Sequence, residues 1–309
     1  MSRIPFDESY WQDYLTGQEA HLPPLPELEE LSDRVVRILG GNPGLMSLQG
    51  TNTYLVGTGK SRILIDTGEG TPCWIGRVVE FLQERQLDIS HVLLTHWHGD
   101  HTGGVNDLVA YNPAIASRIY KNQPDPGQNN IVDGQVFYTE GATVRAVFTP
   151  GHAIDHMCFV LQEENAMFTG DNVLGHGYSV VMDLSTYMES LVRMSSQNCA
   201  MGYPAHGAQI ADLPAKMQEY IHHKEARVQQ VFSTLLRGKS DSAQSISNPR
   251  VGMTLQEIVR SIYGNVPAHI AERALAPFLS QVLWKLAEDH KVGFRPGDMA
   301  KRRWFVRHC

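Results

Sequence analysis

The segment LLTHWHGDHTGG, residues 93–104, sets an apolar run directly against three histidines and an aspartate within six positions. The arrangement then recurs. VRAVFTPGH ends on His152, MCFVLQEENAMFTGD ends on Asp171, and NCAMGYPAHG leads to His206. A chain that delivers a metal-type side chain at the end of one apolar strand after another is restricted to a narrow set of folds. Its natural form is an open sheet with the site along one edge of the strands.

His96 and His98 alternate, so both can point the same way from an extended or turning segment. Asp100 and His101 follow at once. Imidazole and carboxylate together suit zinc and similar divalent ions. Four such groups in six positions cannot all reach one tetrahedral ion that also takes distant ligands, but they can serve two ions side by side. His152 then completes the histidine set of the first ion, His206 joins the second, and Asp171 bridges both. Two ions about 3.5–4 Å apart would share a water and lower its pKa, giving hydroxide near neutral pH. Gly99, Gly103 and Gly104 let the backbone turn tightly around such a site. A lone histidine or aspartate in a loop would mean little; a full set, each at a strand end or a glycine-rich turn, points to a metal site.

The rest of the chain narrows the setting. Its 309 residues, 42% of them hydrophobic, suffice for a sizeable core, and 19% charged residues argue against wholesale disorder. The formal net charge of −7 disfavours a dedicated nucleic-acid binder. Cys73, Cys158, Cys199 and Cys309 show no spacing framework and read as reduced thiols. The start of the chain is polar and acidic, unlike a secretory signal or a transit peptide, and no apolar run approaches the ~20 residues of a membrane span. A cytoplasmic protein is expected.

Periodicity gives a coarse map. Residues 1–33, Pro- and Glu-rich, read as an irregular arm, and residues 34–239 as the main domain. Within it, RVVRILG and TNTYLVGTGKSRILIDTG read as strand, turn and strand. WIGRVVEFLQERQ places Ile75, Val78, Val79 and Leu82 on one helix face. STYMESLVRM reads as a helix with Ser185 as its N-cap, and residues 212–238 as a long amphipathic helix. The Ser-rich stretch at 240–250 is the expected boundary. Residues 251–309 then suggest a small winged-helix-like cap: a helix opened by the capping box of Thr254 and Glu257, another with Pro277 in its first turn, and a terminal hairpin. Its one basic cluster, Lys301, Arg302 and Arg303, is a candidate docking patch for an acidic partner.

THWHGDH, followed by TPGHAIDH, FTGDNVLG and YPAHG, resembles the metallo-β-lactamase superfamily in its hydrolase branch, over about residues 34–230. The resemblance implies an α/β fold, a four-layer αββα sandwich, with a binuclear site at its edge. It implies His96, His98 and His152 as ligands of the first ion, Asp100, His101 and His206 as ligands of the second, and Asp171 as the bridge. Asp66, in LIDTG, matches an aspartate near the site that orients a ligand rather than binding metal. Zinc is the default metal, with manganese compatible.

The superfamily hosts many reactions, so fold alone decides nothing about substrate. NPGLMSLQGTNTYLVG, GDNVLGHG and the C-terminal segment are similar to a branch containing small endoribonucleases and fungal polyketide thioesterases. Across its length the chain most resembles fungal atrochrysone carboxyl acyl carrier protein thioesterases. That resemblance implies hydrolysis of an aromatic polyketide thioester from the acyl carrier protein of a non-reducing polyketide synthase, with Asp100 holding the proton of the attacking hydroxide. His176 and Tyr178, just beyond Asp171, are candidates to line the acyl pocket. Trp97, between two ligands, is expected to be a packing residue. An endoribonuclease is the alternative, since two metals also suit phosphodiester cleavage.

Overall fold

The structure, a computed structural model, describes residues 22–44, 47–242, 252–268, 271–295, 298 and 301–307. Most of the expected arm, the Ser-rich stretch from 243 to 250, and Cys309 lie outside the described residues. Seven strands form the first sheet in sequence order: β1 (Leu28–Glu30), β2 (Val35–Leu39), β3 (Asn52–Val56), β4 (Ser61–Ile65), β5 (Asp88–Leu93), β6 (Ile119–Lys121) and β7 (Asn129–Asn130). The pairings from β1 to β4 are antiparallel, and those from β4 to β7 are parallel. A parallel step needs a crossover, and α1 (Pro72–Arg85) supplies the one between β4 and β5. The second sheet runs β12 (Met201–Pro204), β11 (Ala166–Gly170), β10 (Met157–Leu161), β9 (Ala142–Phe148) and β8 (Val136–Thr139).

Period-two alternation divides the first sheet's side chains between two cores. Val35, Tyr54, Val56, Ile63, Ile65 and Leu93 meet Val144, Phe159, Phe168 and Tyr203 of the second sheet. Val36, Ile38, Leu55, Leu64 and Val92 face the other way, against Trp74, Val78, Phe81 and Leu82 of α1 and Leu108 of α3 (Val105–Tyr111). On the other side of the second sheet, α4 (Leu184–Ser195) buries Leu184, Tyr187, Leu191 and Met194. The start of α5 (Leu213–Ser242) adds Leu213, which lies beside Gly202 of β12. Helices, sheet, sheet and helices make the expected four layers.

The structure corrects three local expectations. Part of the arm is ordered as β1, because the acidic run at 27–30 is held by arginines: Glu27 by Arg77, Glu29 by Arg37 and Glu30 by Arg85. The buried face of α1 is rotated toward Trp74 and Phe81, with Ile75 and Val79 only partly buried. The N-cap of α4 is Asp183, not Ser185; its carboxylate accepts the N–H of Thr186 at 2.9 Å. Asp183→Ala is expected to cost about 1 kcal/mol, more than Ser185→Ala; equal losses in thermal denaturation would contradict this assignment.

The chain divides into two compact units after Gln218, earlier than the Ser-rich stretch. The reason is that α5 runs unbroken through that point to Ser242, and its later part belongs with the C-terminal residues: Gly238 lies close to Met253. The C-terminal unit adds β13 (Met253–Thr254), α6 (Leu255–Tyr263), a π-helical turn at Ala271–Leu275, α7 (Ala276–Glu288), β14 (Val292–Phe294) and β15 (Arg303–Val306). The strands form a three-stranded antiparallel sheet ordered β13-β15-β14. The capping box of Thr254 and Glu257 is present, and Pro277 sits at the start of α7. Of the basic cluster, Arg302 lies over the rings of Trp284, Phe294 and Trp304, and Arg303 pairs with Glu257. Both are engaged within the unit, which leaves Lys301 as the exposed cation of the three. No helix among the described residues is long and apolar enough to cross a membrane.

Candidate metal centre

Each ligand-type residue stands just beyond the C-terminal end of a strand. His96 and His98 follow β5, with Asp100 and His101 on the short helix α2 (Gly99–Thr102). His152 follows β9, Asp171 follows β11, and His206 follows β12. The seven fall into two adjoining groups that could each hold a metal ion: His96, His98, His152 and Asp171, and Asp100, His101 and His206.

Within the first group, His98 Nδ1 lies 2.8 Å from His96 Nε2 and 3.1 Å from His152 Nε2. Asp171 touches both groups. Its Oδ2 is 3.4 Å from His152 Nε2 and 3.6 Å from His101 Nε2, and its Oδ1 is 3.2 Å from His206 Nε2. In the second group, Asp100 Oδ2 is 3.3 Å from both His101 Nε2 and His206 Nε2.

The ring orientations are set from behind. Asp66 accepts the N–H of Thr95 at 2.8 Å, the Thr95 hydroxyl at 2.8 Å and the His101 Nδ1–H at 2.8 Å. With its hydrogen given to Asp66, Thr95 Oγ1 accepts from His96 Nδ1 at 2.9 Å. His152 Nδ1 donates to the carbonyl of Val180 at 2.7 Å, and His206 Nδ1 to that of Gly50 at 3.2 Å. Four imidazoles thus turn Nε2 inward, and His98 alone presents Nδ1. Asp66 acts on the set through His101 and Thr95, in keeping with an orienting role. Asp66→Asn is expected to weaken metal affinity by about 10–100-fold, read by competition with a chromogenic chelator; unchanged affinity would contradict that role.

Charge is concentrated here. Burial works against ionisation of Asp171, yet His206 and His101 hold its carboxyl well below the usual range. Burial likewise opposes a charge on His206, but Asp171 and Asp100 push it up to about 9, and His101 is raised well above its ordinary value against the same burial. His96 goes the other way: burial, and then His101, holds it neutral. The carboxylates therefore draw protons onto the neighbouring imidazoles. A divalent cation among them would displace those protons. The donor set fits such an ion: His101 Nε2 and Asp171 Oδ1 are buried and make no hydrogen bond within the structure.

Sequence patterns passed over several supporting residues. His156 accepts the backbone N–H of Asp171 at 3.1 Å through Nε2, and its Nδ1 lies 3.1 Å from Thr149 Oγ1. Its signal was present in TPGHAIDH, four residues after His152. Thr51 donates to Asp100 Oδ2 at 3.0 Å. Trp97 packs on one side only: its ring centroid is 4.4 Å from that of His98, and it is 50% exposed. His176 lies beside the His206 loop, where a Cβ added to Gly207 would come within 2.7 Å of its ring. Tyr178 is further out, partly exposed, with Lys216 Nζ 6.0 Å from its ring centroid.

A two-sheet sandwich with paired His/Asp groups at its strand ends defines a metal-dependent hydrolase fold. Residues 47–206 match the family described as the metallo-beta-lactamase superfamily, and the chain belongs to it. Among curated relatives, lactamase-like protein adaB of Aspergillus niger is 65% identical over 305 residues, covering 98% of this chain and 96% of the relative. Lactamase-like protein aptB of Emericella nidulans is 63% identical over 305 residues, covering 99% and 97%. Lactamase-like protein vrtG of Penicillium aethiopicum is 64% identical over 304 residues, covering 98% and 97%. The fold is shared with a β-lactamase domain protein from Burkholderia ambifaria, at TM-score 0.72 and 17% identity over 93% of this chain and 98% of that one. A metallo-β-lactamase family protein from Thermus thermophilus matches at TM-score 0.65 and 22% identity, over 90% and 100%.

Proposed function

We propose that the chain is a cytoplasmic metal-dependent thioesterase that hydrolyses an aromatic polyketide thioester from the acyl carrier protein of a non-reducing polyketide synthase. The observation that carries the reading is the complete ligand set, two adjoining His/Asp groups joined through Asp171, in a chain of net charge −7. The acidic balance provides no counter-charge for a polyanion, which weighs against the endoribonuclease alternative. The resemblance of the whole chain to carrier-protein thioesterases supplies the substrate class.

His96, His98 and His152 would hold one divalent ion, Asp100, His101 and His206 a second, with Asp171 between them. Zinc is the default and manganese is compatible. Bound there, the ions would supply Lewis-acid polarisation of a carbonyl and a water acidic enough to ionise near neutral pH. The protein's own groups do the positioning. Asp100, held by the Thr51 hydroxyl and partly exposed, would hold the proton of the attacking hydroxide. Asp66 and Thr95 fix the rings of His101 and His96 and so limit reorganisation during reaction. A thiolate leaves without strong acid assistance, which suits a site whose protonatable groups are committed to holding metal. His176 stands beside the His206 loop and would line the acyl pocket.

The test combines the purified, metal-loaded protein with a loaded non-reducing synthase that lacks a releasing domain, and in parallel with single-stranded RNA. Free aromatic acid and intact RNA are the expected results. RNA cleavage lost in Asp171→Ala, with no acid released, would overturn the reading in favour of the endoribonuclease.

A further inference from the structure

Four large apolar side chains stand in solvent around the first ligand group: Trp97 is 50% exposed, Ile154 67%, Val180 60% and Met182 55%. Exposed hydrophobic residues scattered singly need no explanation; several on connected loops beside a reactive centre do. The loops are tied to one another and to the ligands. His152 donates to the carbonyl of Val180 at 2.7 Å, and Met182 N–H donates to the carbonyl of Gly151 at 2.9 Å. Asp155, next to Ile154, is buried and paired with buried Lys121 at 3.2 Å. Trp97 packs edge-on against the ring of His98. The rim is therefore held on a fixed backbone, with apolar groups outward, next to His98 and His152. The second group has different neighbours: His176 beside the His206 loop, and Lys216, whose Nζ lies 6.0 Å from the ring centroid of Tyr178. The centre is thus apolar on one side and polar, partly cationic, on the other.

We infer that Trp97, Ile154, Val180 and Met182 form the platform for the acyl group, and that it selects a flat, fused aromatic acyl chain over a short aliphatic one. The inference rests on the thioesterase reading. A planar ring system can cover Trp97 and the aliphatic groups at once, removing apolar surface from water on both partners, whereas an acetyl group covers almost none of it. A fixed rim also adds no ordering cost when the acyl group binds. The carrier protein is a different occupant for the same surface, and carrier-free substrates separate the two.

The experiment uses the full, zinc-loaded chain with two N-acetylcysteamine thioesters, 2-naphthoyl and acetyl, together with equilibrium binding of 2-naphthamide, which is uncharged and not hydrolysed. The wild type should favour the naphthoyl thioester in kcat/KM. Trp97→Ala and, separately, Val180→Asn should each lower the naphthoyl-to-acetyl ratio by about tenfold and weaken naphthamide binding to match. Tyr138→Ala, another exposed aromatic, on β8, should leave the ratio unchanged. Both substituted rim residues are half-exposed or more, so folding is retained, as near-wild-type melting would show. An unchanged ratio and unchanged naphthamide binding in both variants would overturn the platform, as would a rim that matters only when the acyl group is carried on protein. If neither thioester is hydrolysed, the thioesterase reading fails, and naphthamide binding still reports on the platform by itself.

Discussion

Asp171→Ala is expected to lower thioester turnover by about three orders of magnitude, equivalent to about 4 kcal/mol of transition-state stabilisation. Asp171 is the residue whose two carboxylate oxygens reach both groups, Oδ2 toward His152 and His101 and Oδ1 toward His206. Among the described residues, no neighbouring side chain is placed to take over both contacts. Its loss removes the anion that binds the groups into one centre and that draws protons onto His206 and His101. Those imidazoles can then become neutral, so no unpaired buried charge is left and the fold survives. Circular dichroism and melting should stay close to wild type while initial rates collapse. Rates within tenfold of wild type in a metal-loaded Asp171→Ala protein would contradict this account of the centre.

Gly151→Ala is expected to destabilise the protein by about 3 kcal/mol or more, lowering Tm by roughly 10 °C, and to disable the centre with it. Gly151 has φ +130°, and a Cβ there would lie 2.4 Å from Tyr187 Cα and 2.5 Å from its backbone N. Those are backbone atoms at the start of α4 and cannot swing aside. The Gly151 carbonyl also accepts the N–H groups of Met182 and Asp183, at 2.9 and 3.0 Å, so any shift moves the loop carrying His152 and the cap of α4 together. Gly76→Ala is the control. Gly76 lies inside α1 with nothing within 4 Å of its added Cβ, and helix propensity makes the change neutral or stabilising by about 0.5–1 kcal/mol. A Gly151→Ala protein that melts with the wild type would show that the strand-end turn tolerates a side chain.

What the sequence made legible was local. THWHGDH, TPGH, FTGD and YPAHG each carry a ligand one to four residues beyond a strand end, so chemistry and position could be read together. The capping box at Thr254 and Glu257 was equally self-contained. The misreadings have a common cause in distant partners. β1 exists because Glu27, Glu29 and Glu30 meet arginines on β2 and α1, which no local pattern shows. Ser185 and Asp183 are both good caps, and the choice fell to the residue whose loop hydrogen-bonds to Gly151. His156 had the residue type of a ligand but turns toward the Asp171 backbone, because Gly170, at φ +51°, leaves room for its ring. Aromatic residues beside strands usually pack, which is the basis for expecting Trp97 to do so; its exposure depends on how the loop after β5 turns outward.

The central claim is that hydrolysis depends on two ions held by the seven-residue centre, and its most direct measurement is a metal titration. The protein is stripped with a chelator, and zinc, or manganese in a parallel series, is returned in steps while thioester hydrolysis and bound metal are followed in the same samples. Activity should be absent in the stripped protein and reach its plateau only as the second equivalent binds. Full activity at one equivalent, or hydrolysis by the stripped protein, would contradict the account.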